Sequence, residues 1–189
     1  MGTDVVRIAL LAWWAGVALP ALAAPIPLVN PGFDSKEPGE QGNPKGWYSA
    51  QHTGSVSYDF ALDSGRRKDG SHSMRIVNIG PEPWGTLAQV LPAAAYAGRT
   101  VRLSAWIRTE GIPDARGNGV SLLLLAQRGG ELGAHVPTKK SRVAGDTDWK
   151  RHAVELRLPP ATNRLEVGVT LEGQGTAWVD GFALEVVEP

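Results

Sequence analysis

The chain has 189 residues, with 19 Lys plus Arg against 19 Asp plus Glu. That balance gives no electrostatic case for nucleic acid or an anionic membrane surface as partner. Cysteine is absent, which excludes disulfides and thiolate metal sites, so a buried core must hold the fold.

The first element is a leader. Arg7 precedes an apolar run over residues 8–19, followed by the small-residue exit Ala21-Leu22-Ala23. This order predicts a secretory signal over residues 1–23, cleaved after Ala23, and export to the periplasm or the medium. The run is shorter than the ~20 residues that span a bilayer, so no membrane span is expected after cleavage. Residues 24–189 then suit one domain, long enough to bury a core of its own.

From there the chain alternates with period 2 between Gly- and Pro-rich turns. GSVSYDFAL puts Val56, Tyr58, Phe60 and Leu62 on one side. SMRIVNI and TLAQVL follow as strands, and PAAAYAG reads as a turn. RTVRLSAWIRT turns Val101, Leu103, Ala105 and Ile107 inward against Arg102, Ser104, Trp106 and Arg108 outward. GVSLLLLAQR is apolar on both faces and reads as a central strand. RHAVELRL aligns His152, Val154, Leu156 and Leu158, and RLEVGVTL aligns Leu165, Val167, Val169 and Leu171. About nine short strands without helices between them predict an all-β antiparallel sandwich. Four long loops, over residues 31–47, 63–73, 109–119 and 129–149, are the places where function is expected.

Catalytic signatures are missing. The four histidines are scattered, and neither HExxH nor G-x-S-x-G occurs. Glu155 and Glu166 share the non-core parity of strands read as neighbours. A carboxylate pair for glycoside cleavage would look like this, and ion pairing with Arg157 and Arg164 explains it equally well.

Four pieces in order carry a resemblance: NPGFD (30–34) followed by PKGW (44–47), DGSHSMRI (69–76), QVLPAAAYAGRTVRLSAWIRT (89–109) and WVDGFALE (178–185). Together they resemble the galactose-binding-like jelly-roll carbohydrate-binding modules of secreted cellulases and xylanases. The back half also resembles accessory domains that precede secreted C-terminal-processing serine peptidases. The first likeness implies an exported jelly-roll β-sandwich without catalysis that binds a glycan. The second implies a periplasmic accessory domain whose partner is a protein. The carbohydrate-binding family further implies a structural calcium ion held by Asp34 and Asp180, with carbonyls near Gly70 and Ser71. Calcium's preference for six to eight oxygens at ~2.3–2.6 Å suits such a set. Two other readings of Asp180 stand beside it: Asp180-Gly181 as a hairpin turn, or the carboxylate as an acceptor for loop amides. For the ligand, Trp84 in a Pro/Gly loop and Trp106 on an open polar face are the expected stacking rings. Arg102, Arg108 and Gln89 are the expected hydrogen-bond donors. The alternative for Trp106 is a ring packed beneath a loop with cations stacked on it.

Overall fold

The computed structural model describes residues 23–39 and 42–187; the predicted leader, apart from Ala23, lies outside them. Eleven strands carry nearly all the regular structure. They are β1 (Ala24–Ile26), β2 (Tyr48–Gln51), β3 (Tyr58–Asp63), β4 (Ser73–Asn78), β5 (Trp84–Pro92), β6 (Thr100–Glu110), β7 (Gly119–Arg128), β8 (Glu131–His135), β9 (Thr147–Arg157), β10 (Arg164–Glu172) and β11 (Thr176–Val187). Short 3-10 turns fill Ala94–Tyr96, where the sequence predicts a turn, and Thr138–Lys140. No helix among the described residues is long and apolar enough to cross a membrane.

All pairings are antiparallel and form two sheets. The first runs β3-β4-β11-β6-β9, with β1 beside the far half of β11; the second runs β2-β5-β10-β7-β8. The period-2 pattern explains why they pack. Val101, Leu103, Ala105 and Ile107 of β6 are fully buried and share one core with Leu165, Val167, Val169 and Leu171 of β10. Each such aliphatic side chain contributes roughly 1.5–3 kcal/mol on burial. The architecture is the expected antiparallel sandwich, with β1, β2 and β8 added because they are too short to show a period.

Two local expectations change. Val56 is 77 % exposed, because β3 begins only at Tyr58. Glu155 and Glu166 are not neighbours: β9 ends the first sheet and β10 is the middle strand of the second. Glu155 binds Arg102, and Glu166 binds Tyr48.

The NPGFD…PKGW opening is a packing device. Asn30 closes its turn by accepting the Ser35 amide at 3.0 Å and donating to the Ser35 carbonyl at 3.1 Å. Trp47 Nε1 donates to the carbonyls of Val29 and Asn30, at 3.0 and 3.1 Å. Its ring lies 5.1 Å from Phe33 and 4.9 Å from Phe182, so the two ends of the chain meet through aromatic contact.

Candidate functional site

Asp180 lies inside β11, which continues unbroken to Val187, so Asp180-Gly181 is not a hairpin. Asp180 opposes Trp106 and Ala183 opposes Ser104, which leaves Gly181 and Phe182 together across from Ala105. This is a bulge, and Gly181 supplies its left-handed residue at φ 57°. The bulge turns Phe182 into the core and marks the point where β11 exchanges β4, paired up to Val179, for β1, paired from Leu184.

Two loops close on that junction. Asp180 is 2 % exposed, and its Oδ2 accepts the amides of Lys68 (2.9 Å) and Asp69 (3.2 Å). Burial pushes its carboxyl above the usual range, and the nearby Asp34 charge adds to this while the amides pull the other way. Asp34 accepts the Ser71 amide and hydroxyl, and these bonds hold its carboxyl low. Both carboxylates face Gly32, where an ideal Cβ would stand 3.4 Å from Asp34 Oδ2 and 3.8 Å from Asp180 Oδ1. Two carboxylate oxygens near one point supply part of the six to eight oxygens that a calcium ion takes. The carbonyl half of the expected set fits less well, since the Gly70 carbonyl accepts Arg67 Nε at 3.1 Å. Among the described residues no three Asp, Glu or His side chains gather around one point.

The same loop, residues 63–72, folds over the outer face of the first sheet. Lys68 Nζ sits 4.6 Å above the Trp106 ring, and the Arg66 guanidinium sits 4.8 Å above Trp178. Trp178 Nε1 donates to Asp63 at 2.8 Å. Trp106 therefore packs beneath a loop, with a lysine on its ring. The arginines beside it are engaged: Arg102 with Glu155 and Glu185, and Arg108 with Asp148 at 2.5 Å. Gln89 is 3 % exposed, and its amide brackets Val29, accepting N–H at 2.8 Å and donating to the carbonyl at 2.9 Å. It fastens the N-terminal segment and faces the core rather than either open surface. Trp84 lies on the other sheet, so the five residues expected to share a ligand are spread over two faces and the core.

The outer face of the second sheet is arranged differently. Strand register places Tyr48, Ala88, Gly168 and Leu123 in one row, and Val90, Glu166, Leu125 and His135 in the next. Tyr48 reaches across β5 and donates its hydroxyl to Glu166 Oε1 on β10 at 2.5 Å. The small Ala88 and Gly168 beneath it leave room for the ring to cross. Burial pushes the Tyr48 hydroxyl far above its ordinary pKa, helped by the Glu166 bond and charge; Arg164 acts in the opposite sense. Two cavities, of about 400 and 290 Å3, share Val90: Arg164 and Asn163 line the first, Tyr48 and Trp47 the second. At the far end of the face Trp84 pairs with Glu172 across the strands, and its ring meets His52 edge-on at 6.1 Å. His52 Nδ1 lies 2.6 Å from Glu82. Trp84, Glu82 and Glu172 are half-buried and reach solvent, and His52 and Arg164 are exposed.

No family model matches the chain. It is 26 % identical over 154 residues to an uncharacterized HTH-type transcriptional regulator, YbfP, of Bacillus subtilis (strain 168), covering 76 % of this chain and 48 % of that protein. The chain thus spans about half the length of the curated relative it matches. Among solved structures, a xylan-binding family 22 carbohydrate-binding module of Paenibacillus barcinonensis aligns over 89 % of this chain and 99 % of its own, at TM-score 0.58 and 14 % identity. A family 61 module solved with β-1,4-galactotriose aligns over 83 % and 95 %, at TM-score 0.51 and 20 % identity. The apo form of a cyclase from Fischerella sp. aligns over 88 % and 97 %, at TM-score 0.64 and 19 % identity. At these identities the likeness is one of fold: the chain shares an antiparallel β-sandwich jelly roll with those carbohydrate-binding modules and with the cyclase.

Proposed function

We propose that the chain is an exported, non-catalytic module that binds a glycan along the outer face of the sheet β2-β5-β10-β7-β8. The observation that carries this is the Tyr48–Glu166 pair set over Ala88 and Gly168. It fixes an aromatic ring beside a carboxylate acceptor on a face that reaches solvent, with Trp84 further along and Arg164 at the end. Such a surface offers rings to the apolar faces of pyranoses and polar groups to their hydroxyls, the usual division of labour in a ligand site. Fold alone would not assign this function, since a cyclase shares it. Neighbouring modules are named for binding xylan or were solved with β-1,4-galactotriose, which supports a glycan and selects the first probes.

Isothermal titration with xylan and β-1,4-galactan oligosaccharides tests the reading. Tyr48→Ala and Trp84→Ala should each weaken binding about tenfold, the worth of one lost aromatic contact. Trp106→Ala should leave affinity unchanged. Wild-type protein that binds neither these nor other plant and microbial glycans would end the proposal, as would folded Tyr48→Ala with wild-type affinity.

A calcium ion at Asp34 and Asp180 belongs to the same proposal as a structural ion remote from the glycan face. Its converging carboxylates support it, and its thermal signature is worked out below.

A further inference from the structure

Beyond Trp84 the glycan face runs into a third cavity, of about 460 Å3, formed where the loops 111–118 and 136–143 meet the end of β10. Arg142 builds its walls. One guanidinium nitrogen donates to the carbonyls of Ala115 and Asn118, both at 2.8 Å, and another lies 3.3 Å from Asp114. The stem of Arg142 passes so close to β7 that a Cβ at Gly119 would stand 2.5 Å from its Cγ. Opposite, the turn carrying Lys139 is pinned on β7, with Ser121 Oγ donating to the Thr138 carbonyl and the Leu122 amide donating to Ser141 Oγ, both at 3.0 Å.

The cavity is therefore a rigid frame, and its charges are unevenly used. Arg142 neutralises Asp114. Arg116 and Lys139 also line the space, yet neither makes a hydrogen bond or ion pair among the described residues. Glu172 sits at the threshold, in register with Trp84. Arg116, Lys139 and Arg142 stand against Asp114 and Glu172 on this lining, a surplus of one positive charge, and a neutral sugar needs no such surplus. A carboxylate does, and a wall of fixed backbone with exposed cationic ends can receive one.

We infer that this cavity is an anion subsite and that the glycan recognised is acidic, bearing a uronate. Its carboxylate lies between Arg116 and Lys139, its ring lies toward Trp84, and its hydroxyls donate to Glu172. The inference rests on the glycan-binding reading above. The distance supports a chain rather than a single sugar: β10 from Arg164 to Glu172 covers about 27 Å at ~3.4 Å per residue. Several rings in line would thus reach from the Tyr48 end to the cavity.

The test titrates wild-type protein and the Arg116→Ala/Lys139→Ala double variant with oligogalacturonate and glucuronoxylan fragments, against β-1,4-galactan and unsubstituted xylan fragments of equal length. Both residues are exposed and, among the described residues, unpartnered, so the variant should keep the wild-type melting temperature. The acidic probes should bind wild-type protein about tenfold more tightly than the neutral ones at low salt, as expected of two exposed ion pairs. That advantage should vanish in the double variant and in ~1 M salt, where charges are screened beyond ~3 Å. Neutral affinities should not change. Equal affinity for acidic and neutral probes would overturn the subsite and leave the glycan reading standing. An acidic preference that survives in the double variant would overturn it too, moving the carboxylate to the Arg164 end. Binding to no glycan of either kind would remove both.

Discussion

Removing the Asp180 carboxylate tests what holds the 63–72 loop onto the sandwich. In Asp180→Ala the amides of Lys68 and Asp69, now bonded at 2.9 and 3.2 Å, lose their acceptor. Hydrogen bonds to a charged group contribute about 1.5–3 kcal/mol each, so the gross loss is ~3–6 kcal/mol. Part of that is returned. Burial and Asp34 raise the folded pKa, so the folded state binds the proton more tightly than the unfolded chain. The ionised form therefore lowers stability as pH rises past the unfolded value. A net loss of ~2 kcal/mol follows, or a fall of roughly 4–8 °C in melting temperature for a domain of this size. Asp180→Asn keeps one acceptor without the charge and should fall between the two. The assay is urea and thermal unfolding followed by tryptophan fluorescence, with calcium and with excess chelator. Bound calcium would raise the wild-type unfolding free energy by about 2.7 kcal/mol at a hundredfold excess over its dissociation constant, and would leave Asp180→Ala unmoved. An Asp180→Ala protein within ~0.5 kcal/mol of wild type would refute the anchoring argument. A chelator-insensitive wild type would refute the ion.

The other outcomes are simpler. Gln89→Ala should cost about 1–3 kcal/mol in urea unfolding, because both polar groups of Val29 lose their partner; a loss of glycan affinity at unchanged stability would return Gln89 to the ligand site. Gly181→Val should cost at least ~1–2 kcal/mol, since a β-branched residue resists φ 57°; a wild-type midpoint would show that the bulge relaxes. His152 is half-buried, its Nε2 enclosed and without a hydrogen-bond partner among the described residues, and burial, aided by the Lys150 charge, lowers its pKa. The unfolded chain then takes the proton first, so stability should fall as pH drops below ~6.5. His152→Phe should flatten that acid limb in urea midpoints measured from pH 7.5 to 5; an identical slope would acquit the histidine.

Alternation in β6 and β10 was legible because those strands are long and half-buried, and their inward residues are the ones that fill the core. Sheet membership was not legible. Period 2 says which side of a strand faces the core, but not which sheet the strand joins, so Trp84 and Trp106 could be imagined together when they lie on opposite faces. Gln89 carried a readable signal: it shares parity with Leu87 and Leu91, both buried. The Tyr48–Glu166 pair carried none, because 118 residues separate its members and only the order β2-β5-β10 brings them together.

The two faces differ in what their aromatic and charged residues already bind, and this favours the second sheet for the proposed glycan site. On the first sheet Lys68 and Arg66 cover Trp106 and Trp178, and the arginines of β6 are tied to carboxylates on the neighbouring strands β9 and β11. A ligand arriving there would have to displace intramolecular partners held at high effective concentration, which lowers its affinity. The second sheet uses Tyr48 and Glu166 on each other but leaves Arg164 and the rings' outer surfaces open, and its small Ala88 and Gly168 keep the middle of the face low. The loop that silences one face is itself fixed by Asp34 and Asp180. Loosening it with Asp180→Ala should therefore expose Trp106 to a soluble quencher such as iodide without creating glycan affinity on the first sheet in a Tyr48→Ala/Trp84→Ala background. Glycan binding regained in that triple variant would show that the covered face is a second site held shut, and the assignment of function to a single face would fall.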